Sequence, residues 1–325
     1  MLYIKSVLTN MYSSILRSYE DVKSECEYEI FYEHACVKLK YFQAQLKNIP
    51  ENEINEMQNN GVYFKSLLTK KRLINLVNQI NDICLKILQA YYKGNLWAAG
   101  ECLNNLLLSK GKIKIYLEDD YLNYFTSSML ADRVYYRMRD CKKKEIPLDC
   151  WHVPYEKRSD AVSARYSIAS FPSLYLSDSK KTANKELGKL RKGYHRWVAE
   201  FNLKSDMKVF LFDLRIPENK VLEKATPIEL FNFIITFPVR FLCSAKTFTV
   251  GACEEYYFPQ LICHWLLCEK NKRMSFNGIV YNSTVNTGGL NYVFPAFYNG
   301  TKPVKGFSPL LFDLFTMTVP QKYSK

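Results

Sequence analysis

The second half of this 325-residue chain holds a carboxylate, two guanidiniums, a phenol and a hydroxyl of types that could act together on a dinucleotide. Breaking the N-glycosidic bond between a flat base and ribose develops oxocarbenium character on the sugar. A carboxylate that holds a ribose hydroxyl favours that positive charge. Glu186 can supply it. The planar paired donors of Arg137 and Arg165 match phosphate oxygens better than a Lys point charge would. Tyr175 offers an aromatic face to a flat base, and it lies eleven residues before Glu186 across an expected strand-to-helix step. Ser283, before the Thr287-Gly288-Gly289 turn, can donate to or accept from a phosphate or ribose oxygen.

Taken singly, each residue also fits an ordinary structural role. Glu186 lies among lysines in KKTANKELGKLRK, where a carboxylate is usually a solvated surface group. Arg137 reads equally as a surface charge, Tyr175 as a strand aromatic in the core, and Ser283 with its glycines as a hairpin turn.

The elements that must position these side chains follow from periodicity. Apolar residues recur at three- and four-residue spacing from Leu2 to Leu46 and from Tyr63 to Leu108, which predicts helices. Between them Asn48 to Gly61, with Pro50 and several Asn, reads as a connection. After about residue 126 short β-type runs enter: KVFLFDL, FNGIVYNST and LNYVFPAF. Helical stretches are expected among them at SKKTANKELGKLRKGYHRWVAEF, PIELFNFIITFPVRFLCSA and YFPQLICHWLLCEK. The fold class is therefore α+β: an all-α N-terminal bundle, residues 1–126, followed by a mixed α and β domain, residues 127–325.

Four segments of the second half, in order, resemble the successive blocks of the RES (Arg-Glu-Ser) domain family. The first is VYYRMRD, with Tyr136 and Arg137. The second, from His152 to Leu187, carries Arg165, Tyr166 and Ser167, then Pro172, the run Leu174-Tyr175-Leu176, and Glu186. The third, EYYFPQLICHWL, has Tyr256 or Tyr257, Pro259 and Gln260. The fourth, FNGIVYNSTVNTGGLNYVF, has Gly278, Ile279, Tyr281, Ser283, Gly288, Gly289 and Asn291. The similarity covers roughly residues 130–300. It departs at Ala164 and Ser170, where the family usually has Gly, and this touches loop geometry more than chemistry.

The resemblance implies an ADP-ribosyltransferase-like fold that takes NAD as substrate and breaks its nicotinamide–ribose bond. Arg137, Tyr175, Glu186 and Ser283 would form the catalytic set, with Tyr136, Arg165, Tyr166, Ser167, Gln260 and Asn291 around the dinucleotide. It implies a toxin or defence effector, commonly restrained by an antitoxin. Water, phosphate as co-substrate, or a macromolecule could receive the ADP-ribose, and a homo-oligomer is compatible with all three.

Composition bounds the alternatives. The N-terminal helical half carries 15 basic and 14 acidic residues, and the remainder 30 and 18, so an anionic ligand belongs to the second half. The same charge, concentrated in KKTANKELGKLRKGYHR, supports a different class, a non-enzymatic module binding nucleic acid. No run of about 18 consecutive apolar residues and no signal-like N-terminus is present, so a cytoplasmic protein without a membrane span is expected. Ten scattered cysteines without a C-x-x-C read as reduced, mostly buried thiols, and Cys263, His264 and Cys268 as helix residues rather than metal ligands. The bundle is loosely similar to RNA-cleaving HEPN domains. It lacks their Arg and His pair, since Arg191 and His195 have three intervening residues and lie outside it. His152 reads as a structural, hydrogen-bonded histidine.

Overall fold

The computed structural model describes residues 1–17, 30–60, 67–142, 150–204, 207–244, 254–267, 276–296 and 302–324. The chain forms two compact units, Met1–Phe125 with Ile216–Trp265, and Thr126–Arg215 with Leu266–Lys325. The class is α+β. The first switch falls one residue from the expected boundary, but the chain then returns to the helical unit for Ile216–Trp265, which the sequence division placed with the second half.

The helical unit contains α1 (Leu2–Arg17), α2 (Ile30–Leu46), α3 (Glu51–Asn59), α4 (Lys70–Tyr92) and α5 (Leu96–Leu107), then α7 (Asn219–Lys224), α8 (Pro227–Ser244) and most of α9 (Tyr257–Leu267). The segment read as a connection holds a helix, α3. Pro50 precedes it in an extended conformation, Glu51 and Glu53 occupy its first turn, and Ile54 and Met57 bury one face at i, i+3 spacing. The buried Glu53 carboxylate accepts from the backbone amides of Tyr3 (2.8 Å) and Ile4 (3.0 Å), satisfying donors that the start of α1 leaves open. Thr69 and Asn95 cap α4 and α5 in the same sense.

The hub of this unit is α8, apolar almost all round, which suits a core helix. It packs against α1, α3 and α4, with Phe237 meeting the rings of Tyr12 and Phe42 at centroid distances of 5.2 and 4.2 Å. By length and composition α8 could cross a membrane, yet 67% of it is buried inside the protein. On α9 Cys263 is buried, which pushes its thiol up to about 12, and His264 is exposed; Cys268 lies outside the described residues.

Nine described strands form one sheet: β1 (Thr126–Ser128), β2 (Val134–Cys141), β3 (Ser173–Ser177), β4 (His195–Leu203), β5 (Phe210–Asp213), β6 (Gly278–Asn282), β7 (Leu290–Pro295), β8 (Phe315–Met317) and β9 (Gln321–Lys322). Their order is β1-β5-β6-β7-β3-β2-β4-β8, with β9 also paired to β4. β5 and β6 pair in parallel, and parallel neighbours need a long crossover. The segment carrying α7, α8 and α9 is that crossover, which is why the chain revisits the helical unit between two strands. The stretch from Ser179 to Phe201, expected to be helical throughout, divides. α6 (Lys180–Glu186) is followed by Leu187 and then Gly188, whose φ of +67° keeps the helix from continuing, and HRWVAEF becomes part of β4. Trp197, Val198 and Phe201 find partners on the two faces of the sheet, so tertiary burial overrides the helical reading.

The main core of the sheet unit gathers Tyr135, Leu174, Leu176, Phe201, Tyr292, Phe294 and Phe315 on one face. A smaller cluster of Met138, Ala183 and Val198, with Tyr136 beside it, lies on the other face under α6. His152 is fully buried and bonded on both nitrogens: Nδ1 meets the Val153 carbonyl at 2.6 Å, and Nε2 accepts from the Ser308 amide at 2.8 Å. Burial pushes its pKa down to about 4, as burial and Lys38 do for His34.

Two outcomes are expected. Expressing residues 127–325 alone strips α8 of α1, α3 and α4 and exposes Ile234, Phe237 and Phe241, so the fragment should aggregate; a soluble, monomeric fragment by size-exclusion chromatography would contradict this packing. Between pH 6.5 and 4 the unfolded chain binds protons that a neutral His152 refuses. Stability is therefore present above pH 6.5 and falls towards pH 4, by about 3 kcal/mol for this one residue. Urea unfolding across that range should show a shallower slope for His152→Gln, and equal slopes would remove His152 from the effect.

Candidate functional site

The site residues of the sheet unit are set by a row of cross-strand partners. Tyr136 on β2 stands opposite Ser177 on β3, Ser177 opposite Asn291 on β7, and Asn291 opposite Tyr281 on β6. Directly paired residues share a face, so all four side chains leave the sheet on the side that carries α6. Tyr175 lies two residues before Ser177 and therefore on that face too.

Glu186, the last residue of α6, comes down towards this row. Its Oε1 accepts from Ser283 Oγ at 2.7 Å and from Asn291 Nδ2 at 2.5 Å. Asn291 is in turn oriented by Ser177, whose hydroxyl donates to Oδ1 at 2.8 Å. Glu186 is an exposed residue, and none of these bonds uses its Oε2, so the carboxylate is aimed by one oxygen and offers the other. Ser283 also accepts from the amides of Asn286 (2.9 Å) and Val285 (3.3 Å). Its donor and both acceptor places are thus engaged, and its hydroxyl serves the carboxylate.

Further bonds lock α6 to the turn after β6. Thr182 Oγ1 donates to Asp178 Oδ1 and accepts from Asn286 Nδ2, both at 2.8 Å. Gly289 allows this contact: a Cβ there would fall 2.5 Å from Thr182 Oγ1 and 2.7 Å from Asn286 Nδ2.

The structure does not bring all the other expected residues to this centre: Arg137, the direct partner of Ala199, leaves β2 on the face of the main core. Tyr175 OH shares a 2.7 Å hydrogen bond with Ser167 Oγ, and the buried Tyr166 ring packs 4.6 Å from that of Tyr281. Arg165 is buried in the same Ala164–Ser167 turn. Arg137 Nη1 donates to the Tyr175 carbonyl at 3.1 Å, so this guanidinium braces β3 from the next strand. Gln260 belongs to α9 in the helical unit. Ser170 has a φ of 68°, the left-handed region that Gly enters without strain, whereas Ala164 closes its turn by ordinary bridging bonds to Ser167. Of the two departures from the resembling pattern, the one at Ser170 therefore carries the backbone cost.

Sequence reasoning missed Ser177, Thr182, Asn286 and Arg196. Ser179 and Thr182 do carry a local signal, a serine cap whose oxygen accepts from the Thr182 amide at 3.1 Å. Arg196 had none, since its partner Asp140 is 56 residues away. Among the described residues no three or more His, Cys, Asp or Glu side chains gather as a metal site.

No protein-family model matches the chain, and no solved structure matches it. A curated protein does: the chain is similar to "Putative toxin YopC" of Bacillus subtilis (strain 168), 26% identical over 223 residues. The match takes in 62% of this chain and 49% of that protein, so the chain spans about half the length of this relative.

Proposed function

We propose that the sheet unit breaks the nicotinamide–ribose bond of NAD, and that the protein is a toxin-like, NAD-consuming effector. The observation that carries this reading is the exposed Glu186 carboxylate, fixed through Oε1 by Ser283 and Asn291 with Oε2 left for a ribose hydroxyl. Support for the role comes from the relative named as a toxin, and support for the substrate from the resemblance of the four sequence blocks to RES domains.

In this reaction the C1′–N bond breaks and its electron pair leaves with nicotinamide. Positive charge then spreads over C1′ and the ring oxygen. Glu186, hydrogen-bonded to the ribose, stabilises that charge, and either a water, whose proton is released to solvent, or a phosphate oxygen forms the new bond to C1′. Tyr175 is the aromatic neighbour for the nicotinamide ring, and its hydroxyl is steadied by Ser167. Ser283 and Asn291 keep the carboxylate in place. Arg137 and Arg165 are assigned to the pyrophosphate, Arg137 also holding the carbonyl of Tyr175.

The direct test is to incubate the full chain with NAD, with and without inorganic phosphate, and to measure nicotinamide and identify the ribosyl product. A phosphate-dependent product marks phosphorolysis, free ADP-ribose marks hydrolysis, and label transferred to macromolecules marks ADP-ribosylation. A second reading, nucleic-acid binding, draws on the exposed Lys181, Lys185, Lys189, Arg191 and Lys192 around Glu186. It predicts salt-dependent DNA or RNA binding with no nicotinamide released.

Glu186→Gln keeps size and an acceptor oxygen but removes charge. It should leave the melting temperature near that of the parent and lower kcat on the order of a hundredfold, about 3 kcal/mol. Full turnover in this variant would withdraw Glu186 from the reaction. Arg137→Lys keeps charge but loses the fork that reaches both an anion and the Tyr175 carbonyl, so kcat/KM should drop by about tenfold or more. Unchanged kinetics would leave Arg137 only its structural bond to β3.

A further inference from the structure

α6 has seven residues, short of the ~12–15 at which an isolated helix becomes even marginally stable, so its position is imposed by its anchors. The N-terminal anchor is the Ser179 cap together with the Thr182 link to Asp178 and Asn286. The C-terminal anchor is Arg196, the second residue of β4, with 5% of its side chain exposed. Its Nε and Nη2 each donate to one oxygen of Asp140 at 2.7 Å, across the β4–β2 pairing where the two residues are direct partners. Its Nη1 donates to the Asn184 carbonyl (3.1 Å), to Asn184 Oδ1 (2.6 Å) and to the Gly188 carbonyl (3.0 Å).

These last bonds straddle Glu186, meeting the residue two before it and the residue two after it. A helix leaves its final carbonyls without intrahelical donors, and its C-terminus carries partial negative charge. One buried guanidinium answers both needs while gripping the sheet through Asp140.

We propose that Arg196 is a positioning residue for Glu186, fixing the end of α6 relative to β2 and β4 so that the carboxylate meets Ser283 and Asn291. This rests on the reading of Glu186 as the carboxylate that acts on the ribose. A shift of about 1 Å in such a group is enough to cost ~100-fold in rate. Lys cannot replace Arg196, because one ammonium cannot keep both Asp140 oxygens together with the Asn184 and Gly188 carbonyls.

The experiment uses the full chain as Arg196→Lys, Asn184→Ala, Glu186→Gln and the double variant Arg196→Lys with Glu186→Gln. In Arg196→Lys, kcat for nicotinamide release should fall about 10–100-fold while KM changes by less than about threefold. Within the Glu186→Gln background the same change should cost less than about twofold, since its effect passes through that carboxylate. Independently of NAD, hydrogen exchange of the amides at 183–188 should quicken by about tenfold or more in Arg196→Lys, with those of β3 and β7 unchanged. Asn184→Ala keeps the Asp140 pair and removes one acceptor, so it should move the same readouts by less; it is the variant to read if Arg196→Lys does not fold. Equal losses in both backgrounds, or unaltered exchange at α6 in every folded variant, would overturn the proposal. If the parent chain releases no nicotinamide, the reading of the site fails, while the exchange data still decide whether Arg196 holds the helix end.

Discussion

The register of β7 between β3 and β6 is the constraint on which the candidate site depends. Because side chains alternate along a strand, a slip of one residue would turn Asn291 to the opposite face and bring Leu290 or Tyr292 into the row with Ser177 and Tyr281. What opposes the slip lies on the other side of the sheet. There Leu174, Leu176, Tyr292 and Phe294 are buried in one cluster with Tyr135 and Phe201. The apolar pattern of one face thus places the polar groups of the other.

On that polar face the carboxylate is the end of a chain of dependencies. The Ser283 hydroxyl can aim its proton at Glu186 because the amides of Val285 and Asn286 take up its lone pairs. The Asn286 side chain in turn reaches Thr182 on the helix that carries Glu186. Such a network is worth most when complete, since a half-satisfied polar group away from water is costly. Gly289 belongs to it through the side chain it lacks, because a methyl there would occupy the space where Thr182 and Asn286 meet.

The helical unit follows a different logic. Its central helix, α8, lies in the sequence between two strands that pair in parallel, and the long crossover such strands require brings it back to α1, α3 and α4. Domain division along the chain and division in space therefore differ by the 50 residues from Ile216 to Trp265.

Periodicity and local chemistry were enough for the α+β class, for α4, α5, α8 and α9, for the strands at 210–213, 278–282 and 290–295, and for the switch from helix to sheet near residue 126. Glu186, Ser283, Asn291, Tyr175 and Ser167 were visible as an ordered set of residue types; hydrogen bonds join Glu186 to Ser283 and Asn291, and Tyr175 to Ser167. The helix α3 was hidden because its Asn and Glu residues look like a loop until Ile54 and Met57 find a core. The strand at 195–203 was hidden because a run of mixed polar and aromatic residues takes the conformation that its neighbours complete. Tertiary structure alone decided that Arg196 grips Asp140 and the end of α6, that Arg137 holds the Tyr175 carbonyl, and that Gln260 belongs to the other unit. The Arg196–Asp140 and Arg137–Tyr175 contacts join residues 56 and 38 positions apart, and sequence spacing carries no record of a distance that only the pairing of strands creates.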